Sequence, residues 1–154
     1  NARSVSELTL AFMISTLRKL RISQDIVLSE DFRQIKGNNL SNKIVGIIGC
    51  GNVGKDLVKL LSPFNCKILV NDIINYSDFY KKNKLYKSEL KDLLKNSDVI
   101  TLHTPLTSKT HNLIGIKEIE IMKNSSILIN TARGKLIDED ALLHGLKIGK
   151  IGAG

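Results

Sequence analysis

At 154 residues the chain has the size of one domain and can bury a proper core without disulfide or metal staples. Hydrophobic residues make up 42% and charged residues 25%, an ordinary globular balance. No apolar run approaches the ~20 residues of a membrane span, and Asn1-Ala2-Arg3 opens no secretory pattern. A net charge of +8 raises nucleic acid as a partner, but the lysines are scattered. The densest group, Lys81, Lys82, Lys84 and Lys87 with Tyr80 and Tyr86, carries no nucleic-acid motif and reads as a solvated face. Cys50 and Cys66 stand at no metal-ligand spacing, so no metal is expected, and two unframed thiols point to a reducing, cytoplasmic setting.

In chain order, Ser4-Val5-Ser6-Glu7 spells a capping box, from which a long helix is expected to run to about Arg21. Val5, Leu8 and Phe12 cluster on one side of that helix; Leu10, Met13, Ile14, Leu17 and Leu20 lie nearly opposite. Two apolar faces need two covers, the second from another domain or subunit, and a symmetric dimer is expected. Residues 22–42 are mostly polar and read as irregular, closing on the turn signal Gly37-Asn38-Asn39. Lys43–Ile48 is a β-branched run of the kind buried on both faces of a parallel sheet. A helix from Asn52 to Leu61 stops at Ser62-Pro63, and Lys67–Asn71 is the second strand. After a polar stretch come a helix over 88–95, a strand over 98–103, a helix over 116–122 and the strand Ser126–Asn130. Asp138 caps a last helix to about Leu146, with Glu139 and Asp140 in its first turn, and Lys150-Ile151 begins one more strand. Strands alternating with helices predict a Rossmann-type α/β fold, a doubly wound parallel sheet.

The strongest motif is Gly49-Cys50-Gly51-Asn52-Val53-Gly54, directly after a strand and opening a helix. Gly49 permits the tight turn, Gly51 lets the backbone approach a pyrophosphate, and Gly54 allows helix to pack on strand. The helix N-terminus offers free amides and a positive dipole end to phosphates. Asp72, at the end of the next strand, can accept both ribose hydroxyls of an adenosine. A 2′-phosphate would meet like charge there, and no arginine follows, which favours NAD over NADP.

The chain resembles the D-isomer-specific 2-hydroxyacid dehydrogenases from end to end. Asn1–Arg18 resembles the helix joining the family's two domains; Leu40–Gly54 and Val70–Asp72 are similar to its nucleotide loop and ribose acid. Asp98–Leu113 resembles the segment bordering the nicotinamide, and Ser126–Gly134 (SILINTARG) the most diagnostic stretch, followed by Leu136-Ile137-Asp138-Glu139. The resemblance implies backbone contacts from Asn52 and Val53 to the pyrophosphate and a cofactor lining from Thr104 and Pro105. It also implies contacts from Thr131 and Ala132 to the nicotinamide half, a nearby Thr9, and a catalytic role for Arg133. A planar guanidinium can clamp a 2-oxo acid's carboxylate and polarise the adjacent carbonyl.

It further implies that residues 1–154 are the NAD-binding domain alone, with residues 1–21 the interdomain helix. The substrate domain, the acid–base histidine and its glutamate would lie outside the chain. The polypeptide alone is then expected to bind NAD weakly and to turn nothing over. His103 reads as a structural or cofactor-bordering residue, and His111 and His144 as surface. Lys135 stands where many relatives have a second glycine. The activity implied is hydride exchange between NAD and a D-2-hydroxy acid such as 3-phosphoglycerate, or glyoxylate and hydroxypyruvate in reverse. The alternative is an NAD(H)-sensing corepressor-like interaction protein on the same fold.

Overall fold

Five consecutive apolar or glycine residues, Ile44–Ile48, form strand β1 at the centre of a parallel sheet, in a computed structural model that describes residues 1–154. On one side β1 pairs with β2 (Lys67–Asn71), and on the other with β4 (Val99–Leu102). The edges are β3 (Tyr86–Lys87) beside β2, and β5 (Ser126–Asn130) then β6 (Ile151–Ala153) beyond β4. The order β3-β2-β1-β4-β5-β6, every pair parallel, is that of the doubly wound dinucleotide fold, as the alternation of elements implies.

Helices cover both faces. Helix α1 (Ala2–Arg18), α3 (Asn52–Leu61) and α4 (Ser77–Lys82) close one core, in which Met13, Leu17, Leu57, Val58 and Tyr80 meet Val45, Ile47, Val70 and Ile129. Helices α5 (Leu90–Asn96), α6 (Ile116–Ile121) and α7 (Glu139–Lys147) close the other, where Leu93, Ile119 and Ala141 meet Ile48, Ile100, Leu102 and Leu128. Burial of each such side chain stabilises by about 1.5–3 kcal/mol relative to exposure, so strands apolar on both faces hold the sheet between its layers.

Several details differ from the sequence reading. There is no capping box at Ser4. Helix α1 begins at Ala2, its first turn closed by the Val5 amide donating to the Asn1 carbonyl, and Ser4 and Glu7 lie exposed within it. The expected helix to Arg21 breaks at Lys19, which is left-handed at φ 55°. The break has a tertiary cause: the Asn38 amide takes the Leu17 carbonyl at 2.8 Å, capturing an acceptor that the next turn would have used. A second helix, α2 (Leu20–Leu28), follows where irregular chain was expected, and none of its residues is buried. Leu20 therefore leaves the buried stripe; Leu10, Met13, Ile14 and Leu17 remain on the covered side of α1. Leu8 and Phe12 stay about half exposed. The polar stretch after Asp72 holds α4 and β3, and α5 begins two residues later than read, because the Ser88 amide still bonds to Val70 in the sheet. Asp138 caps α7 as expected, Oδ1 accepting from the Ala141 amide at 2.9 Å.

Candidate functional site

In a parallel sheet every strand ends on the same edge, so the loops after β1, β2, β4 and β5 converge there. These loops carry Gly49–Gly51, Asp72, Thr104-Pro105 and Thr131–Arg133. The reversal of strand order between β1 and β4 opens the crevice where such folds seat ligands.

The glycine loop is shaped by contacts that only glycine allows. Gly49 has φ 96°, and a Cβ there would lie 2.7 Å from the His103 carbonyl carbon. A Cβ on Gly54 would overlap the Gly49 carbonyl oxygen. Gly51 differs: its φ is −72°, and a Cβ would meet nothing within 4 Å. Neither backbone conformation nor packing requires a glycine at 51, so what the missing side chain preserves is room above the loop. That room lies at the N-terminus of α3, where free amides and the helix dipole favour an anion.

Asp72 is laced into this loop. One carboxylate oxygen accepts from the Cys50 amide at 2.5 Å, the other from the Ile74 amide at 2.7 Å. It thus fixes the loop from across the crevice, and its remaining lone pairs are free for sugar hydroxyls. Cys50 is fully buried beneath; burial first, then the Asp72 charge, pushes its thiol up to about 11, so it stays a neutral packing group. One turn into α3, the Lys55 ammonium stands 3.4 Å from the Tyr76 ring centroid.

On the β4 side, Thr104 places a buried Oγ1 with no hydrogen-bond partner beside an exposed Pro105. An orphaned buried hydroxyl is costly unless something completes it. His103 bonds through Nε2 to the Thr101 hydroxyl at 3.0 Å, and desolvation lowers its pKa to about 4. It is neutral at physiological pH and engaged inside the fold. His111 and His144 are exposed.

After β5, the Asn130 side chain staples the next turn: its Oδ1 accepts from the Ala132 amide at 3.1 Å and its Nδ2 donates to the Arg133 carbonyl at 2.8 Å. Arg133 is exposed, its guanidinium resting only on the Ala132 carbonyl at 2.8 Å, and Gly134 beyond it faces open space. Thr131 Oγ1 lies 2.9 Å from Thr9 Oγ1, bringing α1 to the same edge. The structure thus gathers Thr9, Gly49, Gly51, Asn52, Val53, Gly54, Asp72, Thr104, Pro105, Thr131, Ala132 and Arg133 around one strand-end edge. Sequence reasoning missed Asn130, which acts on the two residues two and three places on, and Ser6 and Asp56, whose roles arise from contact between distant segments. A surface depression at the opposite end of the strands, between Lys43, Asp98, Ser126 and the end of α1, contains none of these residues.

One of these features fits a dinucleotide directly: the open space above Gly51 at a helix N-terminus suits a diphosphate. Comparison with known proteins agrees. Residues 10–154 match the family model described as D-isomer specific 2-hydroxyacid dehydrogenase, NAD binding domain. The chain is 37% identical over 151 residues to a D-specific alpha-keto acid dehydrogenase of Enterococcus faecalis, covering 97% of this chain and 45% of that one. It is 37% identical over 158 residues to the D-3-phosphoglycerate dehydrogenase of Methanocaldococcus jannaschii, covering 97% and 29%. Among solved structures, the D-lactate dehydrogenase of Aquifex aeolicus complexed with NAD and lactic acid superposes with a TM-score of 0.94 at 35% identity, covering 99% of this chain and 46% of that one. The chain therefore spans less than half the length of these relatives. On these matches, with a sheet order and a glycine loop that agree, the chain belongs to the NAD-binding domains of the D-isomer specific 2-hydroxyacid dehydrogenases.

Proposed function

We propose that this domain holds NAD for an oxidoreductase that interconverts a D-2-hydroxy acid and its 2-oxo acid. The observation that carries this reading is Arg133: an exposed, solvent-facing guanidinium on a turn stapled by Asn130, on the edge that bears the glycine loop. Gly49, Gly51, Asn52, Val53 and Gly54 would cradle the diphosphate and Asp72 would accept the adenosine ribose hydroxyls. Thr104, Pro105, Thr131 and Ala132 would border the nicotinamide half, with Thr9 behind Thr131. The cofactor, when bound, supplies or accepts the hydride. Arg133 would clamp the substrate carboxylate in two parallel hydrogen bonds and stabilise charge on the reacting oxygen. A short preorganised turn suits that task, because the guanidinium then pays little ordering entropy on binding.

The relatives found carry dehydrogenase and reductase names, which favours catalysis over the corepressor-like alternative. The names of the relatives point to phosphoglycerate, glycerate and α-keto acids, so the 2-oxo acids 3-phosphohydroxypyruvate, hydroxypyruvate and pyruvate are the first substrates to try. The half-exposed Leu8 and Phe12 on α1, with Val27, Leu28 and Phe32 more exposed beyond the break, favour a homodimer through this helical face. Two free thiols favour the cytoplasm. Steady-state oxidation of NADH and NADPH by the full-length gene product with those 2-oxo acids tests the proposal. Turnover with NADH and any of them is expected. Tight NADH binding without turnover would favour the sensing alternative, and a preference for NADPH would refute the role given to Asp72.

A further inference from the structure

Asp56 lies on α3 just past the glycine loop, and its carboxylate is taken up by α1. Arg3 Nη2 stands 3.0 Å from Oδ1, and Ser6 Oγ stands 2.5 Å from Oδ2. Ser6 is fully buried and the Asp56 side chain is only 15% exposed, so this charge-assisted contact is made largely out of water. No other side-chain hydrogen bond or ion pair joins the two helices. Below it, α1 meets the core through Met13 and Leu17, and the Asn38 amide holds the Leu17 carbonyl near its C-terminal end. The tie at Asp56 is the directional contact at the N-terminal end of α1, the end nearer Thr9.

One turn further along the same face of α1 is Thr9, also fully buried. Its hydroxyl donates to the Val5 carbonyl at 2.8 Å, so the 2.9 Å contact with Thr131 is made by Thr131 donating to Thr9. Displacement of the start of α1 would break that contact and free the Thr131 side chain, while Asn130 keeps its staple on Ala132 and Arg133. The glycine loop and Asp72 are held by other bonds, from Cys50, Ile74 and Gly49, and would stay in place.

We propose that Asp56 is a positioning residue for the nicotinamide half of the bound dinucleotide: by gripping Arg3 and Ser6 it fixes α1 on α3, and so holds Thr9 against Thr131. The inference rests on the NAD reading above and assigns Asp56 no contact with cofactor or substrate. Its signature is selectivity between parts of one ligand. ADP carries the adenosine and diphosphate but no nicotinamide, whereas NADH carries both halves.

Calorimetric titration of the chain with NADH and with ADP tests this. Asp56→Ala is expected to weaken NADH about five- to tenfold, in the range of ordinary site-to-site coupling, with ADP affinity kept within about twofold. Asp56→Glu, which can still reach both partners, is expected to recover most of the NADH affinity. A general loosening of the fold would weaken both ligands together, and that result, or unchanged NADH binding in a folded variant, would overturn the proposal. If Asp56→Ala loses its far-UV circular dichroism, Ser6→Ala carries the same comparison, with the same NADH-only loss expected and unchanged NADH affinity overturning it. Should the unaltered chain bind neither nucleotide, the NAD reading itself would fall, an outcome distinct from a chain that binds both and ignores Asp56.

Discussion

Gly51 and Gly54 belong to one motif, three residues apart, yet alanine at each should fail in a different assay. At Gly54 the added Cβ would overlap the Gly49 carbonyl oxygen, a backbone atom whose amide is itself held by Asn71 at 2.8 Å. Neither side can yield without moving β1 or α3. Helix propensity favours alanine over glycine by roughly 1 kcal/mol, but overpacking against immobile atoms costs about 1–3 kcal/mol or more, so the steric term wins. With about 2–4 °C lost per kcal/mol in a domain of this size, a net loss of about 1–2 kcal/mol lowers Tm by roughly 2–8 °C. At Gly51 the Cβ meets nothing, and alanine as helix N-cap costs at most about 1 kcal/mol, a shift of no more than ~4 °C. There the methyl instead fills the room kept for the diphosphate. Loss of even one close backbone contact to that group, about 1.4 kcal/mol, is tenfold in Kd. Thermal melts followed at 222 nm, paired with NADH titration, separate the two. A Gly51→Ala chain that binds NADH like the parent would refute the reasoning, as would a Gly54→Ala chain of unchanged Tm.

Arg133→Gln should leave Tm within about 1 °C, since the side chain is exposed and makes no contact beyond its own turn. In the full-length gene product it should cut kcat/KM for a 2-oxo acid by about a hundredfold or more, with NADH affinity little changed. His103 takes up its proton near pH 4 in the folded chain and near 6.5 when unfolded, so the unfolded state holds more protons between those values. Stability is therefore full above pH 6.5 and falls as pH drops towards 4, by at most about 3 kcal/mol; His103→Gln should flatten urea-denaturation midpoints across that window. Cys50, with its thiol raised to about 11 by burial and by Asp72, should resist Ellman's reagent at pH 8 in the native chain and react only on denaturation. Prompt labelling of Cys50 without unfolding would contradict its placement.

The parts legible in the sequence are those whose signal is local. The run Ile44–Ile48, the glycines behind it and Asp72 at the next strand end define the nucleotide crevice before any contact is known. Asp138 likewise announces the start of α7 with a side chain that acts within three residues. What escaped was set at a distance. The break at Lys19 depends on Asn38 capturing the Leu17 carbonyl, and lysine is not a residue that advertises a left-handed turn. Strand β3 is two exposed residues whose pairing with Leu69 and Val70 leaves no alternation to read. Ser6 and Thr9 look like polar interruptions of an amphipathic stripe; they are buried because Asp56 and Thr131, far along the chain, supply partners.

The place of β1 also bears on how the chain reaches this state. Its flanks are completed by β2 and then by β4, so Val45 waits for Val99, and β5 and β6 can be added only after that pairing. Such distant parallel pairings make contact order high and folding slow, and a chain emerging from the ribosome would carry the Ile44–Ile48 segment without its second neighbour until more than half of the domain had been made. That interval, rather than the finished fold, is where this sequence would be most open to misassembly and where a chaperone would have something to hold.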